Sequence, residues 1–225
     1  MLTVSEAWRA AYPGAVVGTL VMRNVSNPDS HPALDQRKDE LENQLRSRFA
    51  EGGRAAIKAL PTLNAYNAYY SRFKKTYHVQ LQLESVALKG RSIPRVAALV
   101  EAMFMAELKN LLLTAGHDWA TVQTPVRLDV SDGSERYVML NGQGQTLKPG
   151  DMMIADSQGV ISSVIYGPDQ RTRITSDTRR VFFAVYAPAG IGAEAVRQHL
   201  QDIQANVVLV SPEAEVESLE VTNVE

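Results

Sequence analysis

Apolar positions along this chain follow two different periods, and the change of period divides it. Between residues 31 and 49, Leu34, Lys38, Leu41, Leu45 and Phe49 recur at helical spacing with charges between them, and Gly52-Gly53 ends the run. A short helix is expected over Ser5–Ala11, another over Ala65–Lys75, and a third over Gln80–Leu88. Pro94 precedes the most apolar helix of the chain, which carries Val96, Leu99, Val100, Met103, Phe104, Leu108, Leu111 and Leu112. Proline suits a helix start because its missing N–H would be unpaired there anyway. The apolar residues occupy more than one face, so this helix is predicted to be central. The amphipathic set Ala193, Val196, Leu200 and Ile203 predicts a helix over 192–204.

The strand period appears first at Ala15–Met22, an apolar and β-branched run followed by the turn-rich loop Asn24–Pro32. From Thr121 onward it dominates, at Val126–Val130, Arg136–Leu140, Asp151–Ala155, Ser162–Tyr166 and Val181–Tyr186, with Val207–Val210 read as a last strand. Asn141-Gly142 is a hairpin-type turn and Lys148-Pro149-Gly150-Asp151 a second turn. The organisation is mixed α and β. Ser211–Glu225 holds five glutamates and no basic residue, together with Val216, Leu219, Val221 and Val224. It reads as a solvated, partly disordered acidic tail, with a docked strand or helix as the alternative.

Composition narrows the function more than the fold. The 225 residues suit one large or two small domains, and a formal net charge of −2 argues against a strongly basic binder of nucleic-acid duplexes. With no cysteine there is neither a disulfide framework nor thiolate chemistry, which is compatible with the cytoplasm. No run reaches the roughly 18 apolar residues of a membrane span, and the N-terminus lacks a basic leader followed by an apolar core. Gly142-Gln143-Gly144 leads into strand rather than helix, so no phosphate loop is present. No metal site and no cofactor are expected. His31 and His78 sit in polar segments and are read as solvated, and His199 is placed on the polar side of its helix. His117-Asp118 follows the apolar helix directly. It is either a helix-end histidine beside a turn aspartate or a catalytic pair.

The stretch from residue 159 to 185 reads as strand, structured loop and strand, through the turn Gly167-Pro168-Asp169. Thr172, Thr175 and Thr178 in its loop either bond nearby backbone or touch a ligand. The string Arg171-Thr172-Arg173-Ile174-Thr175-Ser176-Asp177-Thr178 resembles the RTxITxDT signature of B3/B4 domains. These domains occur within the beta subunit of phenylalanyl-tRNA synthetase and as free-standing proteins. Further segments resemble the free-standing members in order. They are Tyr12-Pro13-Gly14 with Val17–Val21, Tyr66–Phe73, Leu88-Lys89-Gly90-Arg91-Ser92-Ile93-Pro94-Arg95, Leu99-Val100-Glu101, Lys148-Pro149-Gly150-Asp151 and Ala155-Asp156.

This resemblance implies an α+β fold of layered sheets with packed helices. A single B3/B4-like domain would span 1–210, with an N-terminal α/β portion to about residue 80, a core over 81–190, the helix at 192–204 and the tail at 211–225. In the synthetase the domain hydrolyses tyrosine from tRNA that should carry phenylalanine, and a pocket that bonds one hydroxyl makes that selection. Laid on this sequence, the family's pocket Thr-Asn pair meets Met103-Phe104 and its pocket histidine meets Ala115. Its pocket glutamate falls near Gly144 or Gln145, beside Gly142. A two-position shift would put His117 in the histidine's place. The resemblance therefore implies the pocket positions but carries over no catalytic residue. His117 and Asp118 remain the weak candidates. The expected partner is the acceptor end of a tRNA or aminoacyl-tRNA, met by Lys89, Arg91, Arg95, Arg171 and Arg173, with Arg179 and Arg180 nearby. DNA is not expected. The resemblance leaves two classes open, a trans-editing ester hydrolase and a non-catalytic module for RNA or an amino-acid-like small molecule.

Overall fold

The apolar run Val16–Arg23 becomes the strand on which one half of the fold is built. A computed structural model describes residues 2–223. The chain begins with β1 (Leu2–Val4), then α1 (Glu6–Ala11), whose first turn is capped by the Ser5 side chain, then β2 (Val16–Arg23). Five helices follow: α2 (Pro32–Phe49), α3 (Gly53–Lys58), α4 (Pro61–Ser71), α5 (His78–Lys89) and α6 (Ala98–Asn110). After them come β3 (Leu113–Asp118) and a 3-10 turn at Trp119–Thr121. The strand-rich half continues with β4 (Val126–Val130), β5 (Arg136–Val138), β6 (Gly144–Thr146), β7 (Met152–Asp156), β8 (Gly159–Ser163), β9 (Gly167–Pro168) and β10 (Arg180–Ala187). The described chain closes with α7 (Ala193–Val210) and β11 (Glu215–Asn223).

Two sheets and a hairpin result. The first sheet runs β11-β2-β10-β3, all antiparallel, and the second runs β1-β4-β7-β8-β9. The small hairpin β5-β6 packs against the second sheet, Tyr137 and Leu147 meeting Met153 and Val160. The expected N-terminal portion is divided between them, because β1 pairs with β4 in one sheet and β2 with β10 in the other.

Alternation along β10 assigns the two faces of the first sheet. Phe183 and Val185 lie level with Gly116 and Thr114 and with Leu20 and Gly18, on the face that α7 covers. A Cβ on Gly18 would lie 2.4 Å from Val196 Cγ1, so the missing side chain is what lets α7 approach. The other face carries Tyr186, whose hydroxyl is hydrogen-bonded to Ser162 Oγ of the second sheet. The first sheet is thus packed between helices and a second sheet, and the layered α+β architecture expected from the sequence is observed.

Several boundaries differ from expectation. The central helix stops at Asn110 because Leu111 adopts φ 63°, and the chain turns back as β3, where the sequence suggested more helix. Val207–Val210 is the last turn of α7 rather than a strand. The acidic segment is not a loose tail. Residues 215–223 form an edge strand antiparallel to β2, and Arg23 and Arg180 pair with Glu215 and Glu217. Val224 and Glu225 lie outside the described residues. Among the described residues no helix is long and apolar enough to cross a membrane.

Candidate functional site

A cleft of about 610 Å³ opens between α6 and the free edge of β3. Its helical wall repeats at i, i+3, i+4 and i+7: Val100, Met103, Phe104 and Glu107. Leu113, Thr114, Ala115 and Gly116 form the strand wall. The end of β8 and the segment through β9 contribute Ser163 to Pro168, the loop before β10 contributes Arg173 and Ile174, and Leu140 reaches in from beyond β5. The lining is mostly apolar, which suits a small organic group more than a bare phosphate.

Among the described residues, strand β3 pairs with a strand on one side only, with β10. Alternation along the strand turns the amides of 115 and 117 to β10 and those of 114, 116 and 118 outward, while Leu113 N donates to the Tyr66 hydroxyl at 2.9 Å. Thr114 N donates to Glu107 Oε1 at 2.7 Å, and Asp118 N donates to Thr172 O at 2.8 Å. Gly116, between them, presents its N–H toward the cleft with no side chain in the way. A Cβ there would lie 2.9 Å from Ile174 Cδ1 and 3.3 Å from Met103 Sδ, so glycine sets the width of the cleft.

Residues of the signature loop hold the loop itself. Asp118 accepts from Ala120 N at 3.0 Å and from Thr178 Oγ1 at 2.8 Å, and Thr178 Oγ1 accepts from Thr175 N at 2.9 Å. Thr172 Oγ1 donates to Asp169 and lies 2.7 Å from His117 Nδ1. With the threonine proton committed to Asp169, His117 Nδ1 is the donor in that contact, which leaves Nε2 as an acceptor with no partner. Arg171 turns inward, to Asp156 at 2.8 Å and to Thr121 O at 3.1 Å. Asn27 then joins the loop to the helix, donating to Thr175 O at 3.0 Å and accepting from Leu99 N at 2.8 Å. This web projects Arg173 and Ile174 into the cleft.

These contacts separate the residues that the sequence singles out. Met103, Phe104 and Ala115 line the cleft. Gly142, Gly144 and Gln145 belong to the exposed β5–β6 hairpin and do not line it. His117 and Asp118 point to opposite faces of β3 and neither lines the cleft. His117 lies on β3 rather than at a helix end, fully buried and stacked on Phe182, and burial pushes its pKa down to about 3. The basic residues do not form one patch. Arg173 lines the cleft and Arg95 lies next to the lining residue Val96, with Arg95 3.6 Å from Asp35. Lys89 and Arg91 are exposed at the end of α5, Arg171 is committed to carboxylates, and Arg180 is held by Glu217. His78 lines the cleft. His199 is fully buried instead of lying on a polar face, 2.7 Å from Thr114 Oγ1 and 3.3 Å from Asn110 Nδ2, and burial lowers its pKa to about 3.

Sequence reasoning passes over Glu107. It is 1% exposed, and burial raises its pKa to about 8. Its signal is present all the same, since it is a carboxylate set among Met103, Phe104, Met105 and Leu108 in the most apolar helix. Beneath this end of the cleft, Tyr66 and Tyr77 stack at 4.2 Å, and the Tyr77 hydroxyl donates to Leu111 O at 3.1 Å, tying down the helix–strand connection.

Comparison with known proteins bears on the family and the fold. A 69-residue stretch, 31% of this chain, is 32% identical to the phenylalanine–tRNA ligase beta subunit of Mycoplasma pneumoniae (strain ATCC 29342 / M129 / Subtype 1), of which it covers 9%. The fold superposes on an N-terminal fragment of the phenylalanyl-tRNA synthetase beta subunit from Pyrococcus horikoshii with a TM-score of 0.50 at 13% identity. That match covers 99% of this chain and 54% of the fragment. The chain therefore spans only part of either relative. The family model for the B3/4 domain matches residues 64–206, which include α6, β3 and the signature loop, and the chain belongs to the B3/4 domain family.

Proposed function

We propose that the cleft between α6 and β3 receives the acceptor end of an aminoacyl-tRNA, and that the protein recognises charged tRNA in trans, in the cytoplasm. The observation that carries this reading is the placement of Arg173. The signature loop is braced by Asp118, Thr172, Thr178 and Asn27, and its exposed Arg173 guanidinium sits at an apolar cleft with room for an aminoacyl group. A phosphate of the terminal nucleotides would meet Arg173 while the aminoacyl group entered the cleft. A net charge of −2 suits a footprint this small better than a long duplex.

Hydrolytic editing is the second reading, and Gly116 favours it. Its outward N–H could donate to the oxyanion formed when water attacks an ester carbonyl, with the tRNA's terminal hydroxyl positioning that water. The test is deacylation of a panel of correctly and wrongly charged tRNAs, including tyrosine on tRNA for phenylalanine, by catalytic amounts of the protein. Turnover of a mischarged species supports editing. Binding without turnover supports recognition alone, and neither binding nor turnover removes both readings.

A further inference from the structure

The ionisable groups that line the cleft are unequally partnered. Glu107 sits where α6 and β3 are joined through Leu111 and Leu112, so the cleft is closed behind it. One oxygen accepts from Thr114 N at 2.7 Å, and among the described residues the carboxyl has no other hydrogen bond and no ion pair. His78, Tyr166, Tyr186 and Arg173 line the same cleft, Tyr66 and Tyr77 pack beneath it, and His199 is reached only through Thr114. None of these neutralises Glu107. Arg173 stands on a separate loop beside Ile174, opposite Gly116 and farther along β3.

We infer that Glu107 is the recognition group of this cleft and that its ligand is a protonated amine carried on an apolar body. The apolar body follows from Val100, Met103, Phe104, Ala115 and Ile174. The amine follows from the unpaired carboxyl. A buried carboxylate is costly alone and far less so beside a cation, so an ammonium group supplies what the empty cleft lacks. Burial already holds the carboxyl protonated near neutral pH, which makes proton release part of binding. An anionic ligand would gain from Arg173 but nothing from Glu107. The inference stands apart from the acceptor-end reading, although an aminoacyl group does present an α-ammonium.

Calorimetric titration with 2-phenylethylamine and with its neutral isostere 2-phenylethanol tests it, at pH 7 in two buffers of unlike ionisation heat. The amine should bind at least about tenfold more tightly than the alcohol. About one proton should leave per amine bound at pH 7 and progressively fewer toward pH 9. Glu107→Gln keeps an acceptor for Thr114 N and should erase both the preference and the proton release. Equal affinity for the two probes, amine binding without proton release, or an amine preference retained in Glu107→Gln each overturns the inference. Should Glu107→Gln fail to fold, the proton count on the unaltered protein decides alone. A third probe, 3′-phenylalanylamino-3′-deoxyadenosine, separates the two proposals. If it fails to bind where 2-phenylethylamine binds, the acceptor-end reading falls and Glu107 keeps its role. If it binds equally to the unaltered protein and to Glu107→Gln, the Glu107 inference falls.

Discussion

Helix α6 buries a glutamate near each end, and the two are in opposite electrostatic situations. Glu101 is 2% exposed, accepts from Val96 N at 2.8 Å and pairs with the buried ammonium of Lys38, which lies 3.3 Å from Asp35. Glu107 is 1% exposed and among the described residues is hydrogen-bonded only by Thr114 N. Residue type, helix and burial are the same, so none of these decides whether a charge is kept. The counter-ion decides. At the N-terminal end the carboxylate is part of the packing between α2 and α6. At the C-terminal end the carboxyl is left unneutralised at the edge of a cleft.

The largest effect should come from breaking the paired end. Lys38→Met leaves Glu101 buried beside apolar groups and should cost about 3–5 kcal/mol in urea unfolding at pH 7. Glu107→Gln should instead stabilise under the same conditions, because it removes the proton that folding must take up at pH 7. A cost below about 1 kcal/mol for Lys38→Met would mean that the two ends are not different after all. Next in size is Asp118→Ala, which removes the acceptor for Thr178 Oγ1 and for Ala120 N and should cost about 2 kcal/mol. The same change should loosen the signature loop, visible as faster hydrogen exchange at Thr175 N.

Much of this arrangement is legible in the sequence, and the departures share a cause. Helical spacing locates α2, α6 and α7 because each buries one stripe or more, and the apolar and alternating runs locate β2, β4, β7 and β10. The end of α6 is hidden because Leu111 and Leu112 continue the helical apolar spacing from Leu108, while the reversal depends on one leucine in a left-handed conformation that no glycine announces. The acidic strand β11 resembles a tail because its glutamates are satisfied by Arg23 and Arg180, 192 and 37 residues away. His199 looks exposed until the helix that buries it has been placed. In the cleft, family resemblance puts Met103, Phe104 and Ala115 on the walls. Glu107 lies outside the family motifs, and its importance comes from a missing partner, which only packing reveals.

The pH dependence of stability sharpens the contrast through Glu107 alone. Its carboxyl is raised from an ordinary 4.5 to about 8, so the folded state keeps a proton the unfolded chain has lost, and stability falls as pH rises through that window. His117 and His199 act in the opposite direction. Lowered from 6.5 to about 3, they contribute stability that grows as pH rises from 3 to 6.5. Asp151, raised by burial to about 6, adds to the decline only below that value. Between pH 6.5 and 8 the slope should therefore be negative, approaching about 1.4 kcal/mol per pH unit, and Glu107→Gln should flatten it. A flat profile in the unaltered protein would place Glu107 among the paired carboxylates with Glu101.

The smallest effect on stability should come from Arg173, and that is what makes it informative. Its guanidinium is exposed, and among the described residues its one hydrogen bond is to Gln170 O at 3.0 Å within its own loop. Arg173→Ala should change stability by less than about 0.5 kcal/mol. Arg171, two residues earlier, is tied to Asp156 and Thr121 O, and its loss should cost more in folding. Affinity should reverse that order. If the cleft receives a tRNA end, Arg173→Ala should weaken binding of charged tRNA and reduce the slope of log affinity against log salt by about one. An unchanged salt slope would leave Arg173 as a solvated rim residue and remove the observation that carries the acceptor-end reading, while Glu107, farther along the cleft, would be untouched by that result.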